Sequence, residues 1–262
     1  MSDYPLTDEQ IAFYRENGFV KLPNVLSPAE VETARAALAE ALEVPLSEEM
    51  DRSDRGEYSR IFVQKVNLWR AHAGIRELVC HPRIAEIARR LAGAAGIRLW
   101  HDHALIKMPG DSKETPWHQD LPYWPMHEAG PLSCWLALDD VDERNGCMRF
   151  VAGSQKYGQL EPIRLANPQS IFDQTPDLSE ATAPIVSVPL QAGSCTFHNG
   201  NTFHYAPANR SDRPRRAMVT IYMPDGETYR DKPHPVTNGL NLQEGEPLAG
   251  ELFPLLATGP AA

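Results

Sequence analysis

The chain has 262 residues, with 25 lysines and arginines against 35 aspartates and glutamates, a formal net charge of −10. That length suits one large domain, and that charge argues against nucleic acid or an anionic membrane as partner and favours a small-molecule substrate. No apolar run approaches the ~18 residues of a membrane span; Cys80, Cys134, Cys147 and Cys195 form no C-x-x-C pair, and Met1-Ser2-Asp3-Tyr4 opens no basic and apolar leader, so the expected setting is reducing and cytoplasmic.

The first part, about residues 1–95, reads as helical. Thr7 and Gln10 form a capping box before Ile11, and Gly18 supplies a stop. Phe19-Val20-Lys21-Leu22 is a short strand candidate. Ser27-Pro28-Ala29-Glu30 opens a second helix with a cap, a first-turn proline and a glutamate, and the alanine-rich run carries it to about Leu42. Residues 43–60 read as a polar loop. A helical pair follows near 69–80 and 83–92, with Pro82 opening the second member and Gly93 closing it.

From Ile97 the period changes from helical to alternating. Residues 97–108 suit a strand ended by Pro109-Gly110-Asp111, and further strands are expected at 132–138, 147–151, 185–189, 194–198 and 216–223. Residues 157–183 and the tail from Pro224 read as long loops. Many short strands preceded by helices predict a mainly β fold with flanking α-helices, a jelly-roll core over about 96–225 and a C-terminal tail.

The chemistry concentrates in Trp117-His118-Gln119-Asp120. If this stretch is a strand, His118 and Asp120 share a face and can take adjacent positions on one metal. His204 downstream completes two histidines and a carboxylate, the facial ligand pattern of non-haem iron(II) oxygenases, which leaves three positions open. The residues after His204 form a turn-rich loop between strand-like flanks. If those flanks pair, Arg215 returns close to His204 and offers a planar fork for a carboxylate.

With these pieces in order the chain resembles the phytanoyl-CoA dioxygenase family of iron(II)- and 2-oxoglutarate-dependent oxygenases. The resemblance rests on 117–124 (Trp-His-Gln-Asp-Leu-Pro-Tyr-Trp), on 135–148, on Val151-Ala152-Gly153-Ser154-Gln155-Lys156, on Gln191-Ala192-Gly193-Ser194, and on His204 followed eleven residues later by Arg215. It implies a double-stranded β-helix with His118, Asp120 and His204 on Fe(II), and Arg215 on the distal carboxylate of 2-oxoglutarate. It also implies O2 as co-reactant and succinate and CO2 as products. Lys65 and Trp135 correspond to further cosubstrate contacts. The family often carries a small hydroxyl residue two places after the distal histidine, where this chain has Ala206. Related halogenases replace the carboxylate ligand with a small residue, so Asp120 implies hydroxylation or a related oxidation.

Several residues compete for these roles. His198 matches His204 in type, but the spacing to Arg215 selects His204 and leaves His198 for a supporting role. His101 and His103 share a strand face and read as core or pocket residues. Arg215 and Arg216 face opposite sides of a strand, so only one looks inward. Tyr123 and Trp124 read as part of a substrate entrance. Asp139, Asp140, Asp142 and Glu143 read as a solvated turn with Asn145-Gly146. Two other functions use the same ligands: a zinc-dependent hydrolase, and a non-catalytic protein that binds metal and 2-oxoglutarate without turnover.

Overall fold

In the computed structural model, residues 4–48, 50–51, 61–110, 112–127, 130–166 and 168–261 are described. Glu49 and positions 52–60 of the predicted 43–60 loop, Asp111 of the predicted turn and Asn167 of the predicted 157–183 loop therefore lie outside the described residues. The helical ends follow the local chemistry. Helix α1 (Asp8–Asn17) has the reciprocal Thr7–Gln10 capping box and ends at Gly18, where φ is +79°. After strand β1 (Phe19–Leu22), helix α2 (Pro28–Leu42) starts on the Ser27–Glu30 box.

Strand β2 (Val63–Val66) is followed by two helices where one was expected over 69–80. The backbone of His72 is extended (φ −138°, ψ 122°), which splits the segment into α3 (Leu68–Ala71) and α4 (Ala73–Val79). The His72 ring replaces the lost turn by accepting from the Ile75 N–H at 3.4 Å. Histidine is not among the preferred caps, so pattern reading runs through it. Helix α5 (Pro82–Ala92) starts and stops at Pro82 and Gly93 as expected.

From β3 (Gly96–Lys107) onward the chain builds two antiparallel sheets, which form the expected jelly roll. The remaining strands are β4 (Thr115–His118), β5 (Leu132–Ala137), β6 (Met148–Val151), β7 (Ile185–Val188), β8 (Cys195–Asn199), β9 (His204–Ala206), β10 (Arg215–Pro224) and β11 (Leu255–Thr258). The larger sheet runs β1-β8-β5-β10-β3-β11, with β2 also on β3; the smaller runs β4-β9-β6-β7. Strand β11 corrects the reading of the tail as loop throughout. It is only four residues long and pairs at the start of β3, a contact that no local pattern announces.

Strand β10 shows how the layers divide. Met218 and Tyr222 pack with the helices around Leu38, Ile75 and Leu91. Ala217, Val219 and Ile221 pack between the sheets with Trp135 and Phe150. On β3 the register to β10 slips, with Ile221 opposite His101 and Tyr222 opposite Leu99. Trp100 is thus an extra residue. Such a bulge re-aims side chains, and here Trp100 packs between the sheets while His101 faces the cavity they enclose.

The loop from β9 to β10 is shaped by Asn209, which is buried. Its amide donates to the carbonyls of Lys107 (2.9 Å) and Arg213 (2.8 Å), and its Oδ1 accepts from the Ser211 N–H and hydroxyl. These bonds fix the turn that brings Arg215 back toward the β9 strand. Asn209→Ala leaves the buried Lys107 carbonyl short of a donor, while Arg213 O keeps only the Ser211 hydroxyl at 3.1 Å, and the expected loss is about 1–3 kcal/mol in urea denaturation at unchanged slope. A loss under about 0.5 kcal/mol would show that the turn is held elsewhere.

Candidate metal centre

His118 ends β4 and lies directly opposite His204 on β9. The ring centroids are 4.0 Å apart. Asp120 joins them by a route other than strand alternation. The chain has left the strand by residue 120, which is helical (φ −84°, ψ −46°) at the entry to the 3-10 turn Leu121–Tyr123. Its backbone N–H donates to Gly200 O at 2.9 Å, and this tie, rather than a period of two, aims the carboxylate. One ligand atom each from His118, Asp120 and His204 then falls within 4.8 Å of the others.

The second atom of each ligand is spoken for. His118 Nδ1 donates to Pro116 O at 2.7 Å and His204 Nδ1 to Thr202 O at 3.0 Å, so each Nε2 presents a lone pair inward. Asp120 Oδ1 sits 3.7 Å from His118 Nε2 and 3.5 Å from His204 Nε2. Its Oδ2 accepts from Ser133 Oγ at 2.7 Å and from His198 Nε2 at 3.2 Å. His198 therefore orients the carboxylate. Ser133 does the same and went unnoticed in the sequence, because a lone serine on a strand carries no signal.

Burial, reinforced by the neighbouring His204, lowers the His118 pKa to about 3; burial also lowers His204 to about 4, against the pull of Asp120. Burial would raise Asp120, but His204, His198 and His118 together hold it well below the usual carboxylate range. Two neutral imidazoles and a carboxylate suit a divalent transition metal held on one face.

Arg215 opens β10 and is buried, with its guanidinium 5.1 Å from the Trp135 ring centroid. Its Nε has no hydrogen-bond partner, and Nη1 reaches only Leu105 O at 3.5 Å. Burial lowers its pKa to about 10, with weak compensation from Asp139. Arg216 points the other way and pairs with Asp139 through Nε at 3.0 Å and Nη2 at 2.6 Å. Gly146 lies behind Arg215, at φ +98°, where an added Cβ would come within 2.8 Å of Pro207 O and 3.7 Å of Arg215 Nη2. The Asn145-Gly146 end of the expected solvated turn is thus buried, while Asp142 and Glu143 are exposed.

The cavity of about 710 Å³ is lined by the three ligand residues, Arg215 and Trp135, together with Tyr123 and Trp124 of the expected entrance. Lys65 is not brought to it. Its neighbours Gln64 and Val66 face the cavity, so alternation turns Lys65 outward, where Nζ meets Leu42 O at 2.6 Å and Asp51 Oδ2 at 3.1 Å. Ala206 lines the cavity without a hydroxyl, and its register partner Thr115 lines it too and carries one.

Two outcomes follow. In the folded metal-free protein both histidines stay neutral down to about pH 4, whereas in the unfolded chain they protonate near pH 6.5. Between these values the unfolded state takes up more protons, so stability falls as pH drops through this window. The urea midpoint should follow that slope, less steeply in His204→Gln; a flat profile would contradict neutral burial. His198→Phe should weaken divalent-metal binding by about 10- to 100-fold through loss of carboxylate support, measured by titration; unchanged affinity would remove His198 from the site.

Comparison with known proteins agrees with this geometry. The family profile described as Phytanoyl-CoA dioxygenase (PhyH) matches residues 14–217. Methylphosphonate hydroxylase of Gimesia maris is 28% identical over 244 residues, covering 87% of this chain and 86% of its own. Peroxisomal phytanoyl-CoA dioxygenase of Bos taurus is 28% identical over 229 residues, covering 81% and 67%. Among solved structures, the non-haem alpha-ketoglutarate-dependent carbocyclase SnoK from nogalamycin biosynthesis is 35% identical with a TM-score of 0.83, covering 98% of this chain and 100% of its own. The epimerase SnoN, in complex with Fe3+, alpha-ketoglutarate and nogalamycin RO, is 34% identical with a TM-score of 0.79, covering 95% and 98%. The chain belongs to the phytanoyl-CoA dioxygenase family of iron- and 2-oxoglutarate-dependent oxygenases.

Proposed function

We propose that His118, Asp120 and His204 hold Fe(II), that Arg215 and Trp135 seat 2-oxoglutarate, and that the enzyme couples release of succinate and CO2 to oxidation of a C–H bond in a small molecule. The observation that carries this reading is Arg215. A guanidinium buried against Trp135, with an orphaned Nε and no carboxylate bonded to it among the described residues, lacks the counter-charge that a ligand carboxylate supplies. Activation of water on zinc does not itself call for such a group, and Thr115 opposite Ala206 offers the cavity the hydroxyl that position 206 lacks.

Iron with bound 2-oxoglutarate supplies the activation of O2. The chain positions and shields. Its imidazoles arrive unprotonated, so metal need not displace protons at neutral pH. Asp120 keeps the position that halogenases open to chloride, which favours oxygen chemistry over halogen transfer. Trp135 covers one face of the Arg215 guanidinium and keeps it dry. Relatives carry the names hydroxylase, carbocyclase and epimerase, so the fate of the oxidised carbon is set by how the cavity holds the substrate. The four unpaired thiols suit a reducing cytoplasm, which keeps iron ferrous.

The test is succinate release from anaerobically loaded enzyme on exposure to O2. Turnover should require Fe(II) and vanish in His118→Ala and Asp120→Ala; turnover that survives both, or that needs zinc without O2, would overturn the reading. Arg215→Met should raise the KM for 2-oxoglutarate by about 10- to 100-fold, whereas Lys65→Ala should leave it within about twofold. The reverse ranking would move the carboxylate seat to Lys65.

A further inference from the structure

One wall of the cavity comes from outside the two sheets. Pro162, Ile163, Arg164, Leu165 and Ala166 line it consecutively, within the connection from β6 to β7. Among the described residues no backbone–backbone hydrogen bond joins 159–166 to the strands. Ile163 is buried with Trp117, Phe172 and Phe203, which gives the wall an apolar seat. Apolar contact is not directional, so it does not fix how the backbone turns over the cavity. The hydrogen bonds that do so come from the turn that carries Asp120.

Gln119 stands between the ligands His118 and Asp120 and is 2% exposed. Its Nε2 donates to Gly158 O at 2.7 Å and to Asn201 O at 2.8 Å, and its Oε1 accepts from the Leu160 N–H at 2.9 Å. Two carbonyls and one N–H leave a single orientation for the amide, because only its nitrogen end donates. Further along the turn, Tyr123 Oη donates to Ile163 O at 2.6 Å, and its ring centroid lies 6.4 Å from that of His118. Within the connection itself, the Gln174 amide accepts from Glu161 N at 2.9 Å and donates to Glu161 O at 3.1 Å, which helps the wall keep its own shape. Gln119 and Tyr123 decide where that shape sits.

The Gln119 amide also reaches the other side of the ligand set. Asn201 lies in the turn from β8 to β9, just before His204, and the adjoining Gly200 carbonyl accepts from the Asp120 N–H. A metal ion that draws His118, Asp120 and His204 together therefore fixes both backbone segments from which Gln119 works. Metal binding and order in the wall are then linked, and the link runs in both directions.

We propose that Gln119 and Tyr123 are positioning residues that seat the 158–166 wall on the ligand turn, so that the substrate side of the cavity becomes ordered when the metal site fills. This rests on the oxygenase reading above for the purpose of the cavity, and it names the residues that carry metal occupancy to the substrate wall. An empty metal site then presents substrate with an unfinished cavity.

The test is amide hydrogen exchange on the full chain, with and without anaerobic Fe(II). In the native chain we expect exchange across 159–166, the Leu160 amide included, to slow about 5- to 10-fold when iron binds, with helix α1 as the unmoved reference. In Gln119→Leu this response should shrink to within about twofold, while iron still binds at about 5- to 10-fold lower affinity. Tyr123→Phe keeps the ring and removes one bond; it serves should Gln119→Leu fold poorly, and should reduce the response to about two- to threefold. A merely structural role would speed exchange equally in metal-free and iron-loaded protein and leave the response to iron intact. No iron response in the native chain, or a response unchanged in both variants, would overturn the proposal. A response to iron without any succinate formation leaves the coupling standing and overturns the oxygenase reading; succinate formation without the response gives the opposite result.

Discussion

The pairing of β4 with β9 is the constraint on which the site depends. It sets His118 and His204 face to face, and the Gly200 carbonyl then catches the Asp120 backbone just past the end of β4. The two histidines come from strands and the carboxylate from a turn. That division matters mechanically, since backbone pairing fixes the imidazoles while Asp120 is steered by its own hydrogen bonds to Ser133 and His198. Ser133 and His198 themselves face each other across β5 and β8 in the larger sheet. The metal centre is thus a junction between the two sheets, and anything that shifts one against the other moves a ligand.

Electrostatics gives the site its polarity. Lys107 and Arg215 are both fully enclosed near one end of the cavity, and among the described residues Lys107 has the carbonyls of Lys113 and Ala206 for acceptors. Burial, with Arg215 adjacent, drives the Lys107 pKa well down. Arg215, whose pKa burial lowers only to about 10, thus carries the positive charge at this end of the cavity in a chain of net charge −10. Such a pocket costs stability in the free protein and gains it when an anion enters, so binding of the cosubstrate and rigidity of the barrel are linked.

Much of this was legible in the sequence, for reasons that differ by region. Thr7–Gln10, Ser27–Glu30 and Pro82–Gly93 are local signals, and the helix ends obey them. The His118, Asp120, His204 and Arg215 positions were readable because a motif fixed their spacing. His118 and Asp120 converge all the same through a turn and not through the alternation first invoked. What stayed hidden depends on contacts distant in sequence. The direction of Lys65 is set by β2 pairing with β3, the role of Ser133 by β5 passing under Asp120, and the place of His234 in the cavity wall by a tail that read as loop. His101 and His103 gave a visible pattern, but the His234 ring beside His101 lies more than a hundred residues away.

The central claim is that one face of two histidines and an aspartate holds iron while Arg215 holds the far end of 2-oxoglutarate. Chelation of ferrous iron by a 2-oxo acid produces a visible charge-transfer absorption, so anaerobic titration of the iron-loaded protein with 2-oxoglutarate addresses both halves at once. The account predicts a saturable band at one equivalent of iron in the native chain, no band in His204→Ala, and a band in Arg215→Met that needs far more 2-oxoglutarate. Iron binding without any band, or a titration midpoint unmoved by Arg215→Met, would contradict it.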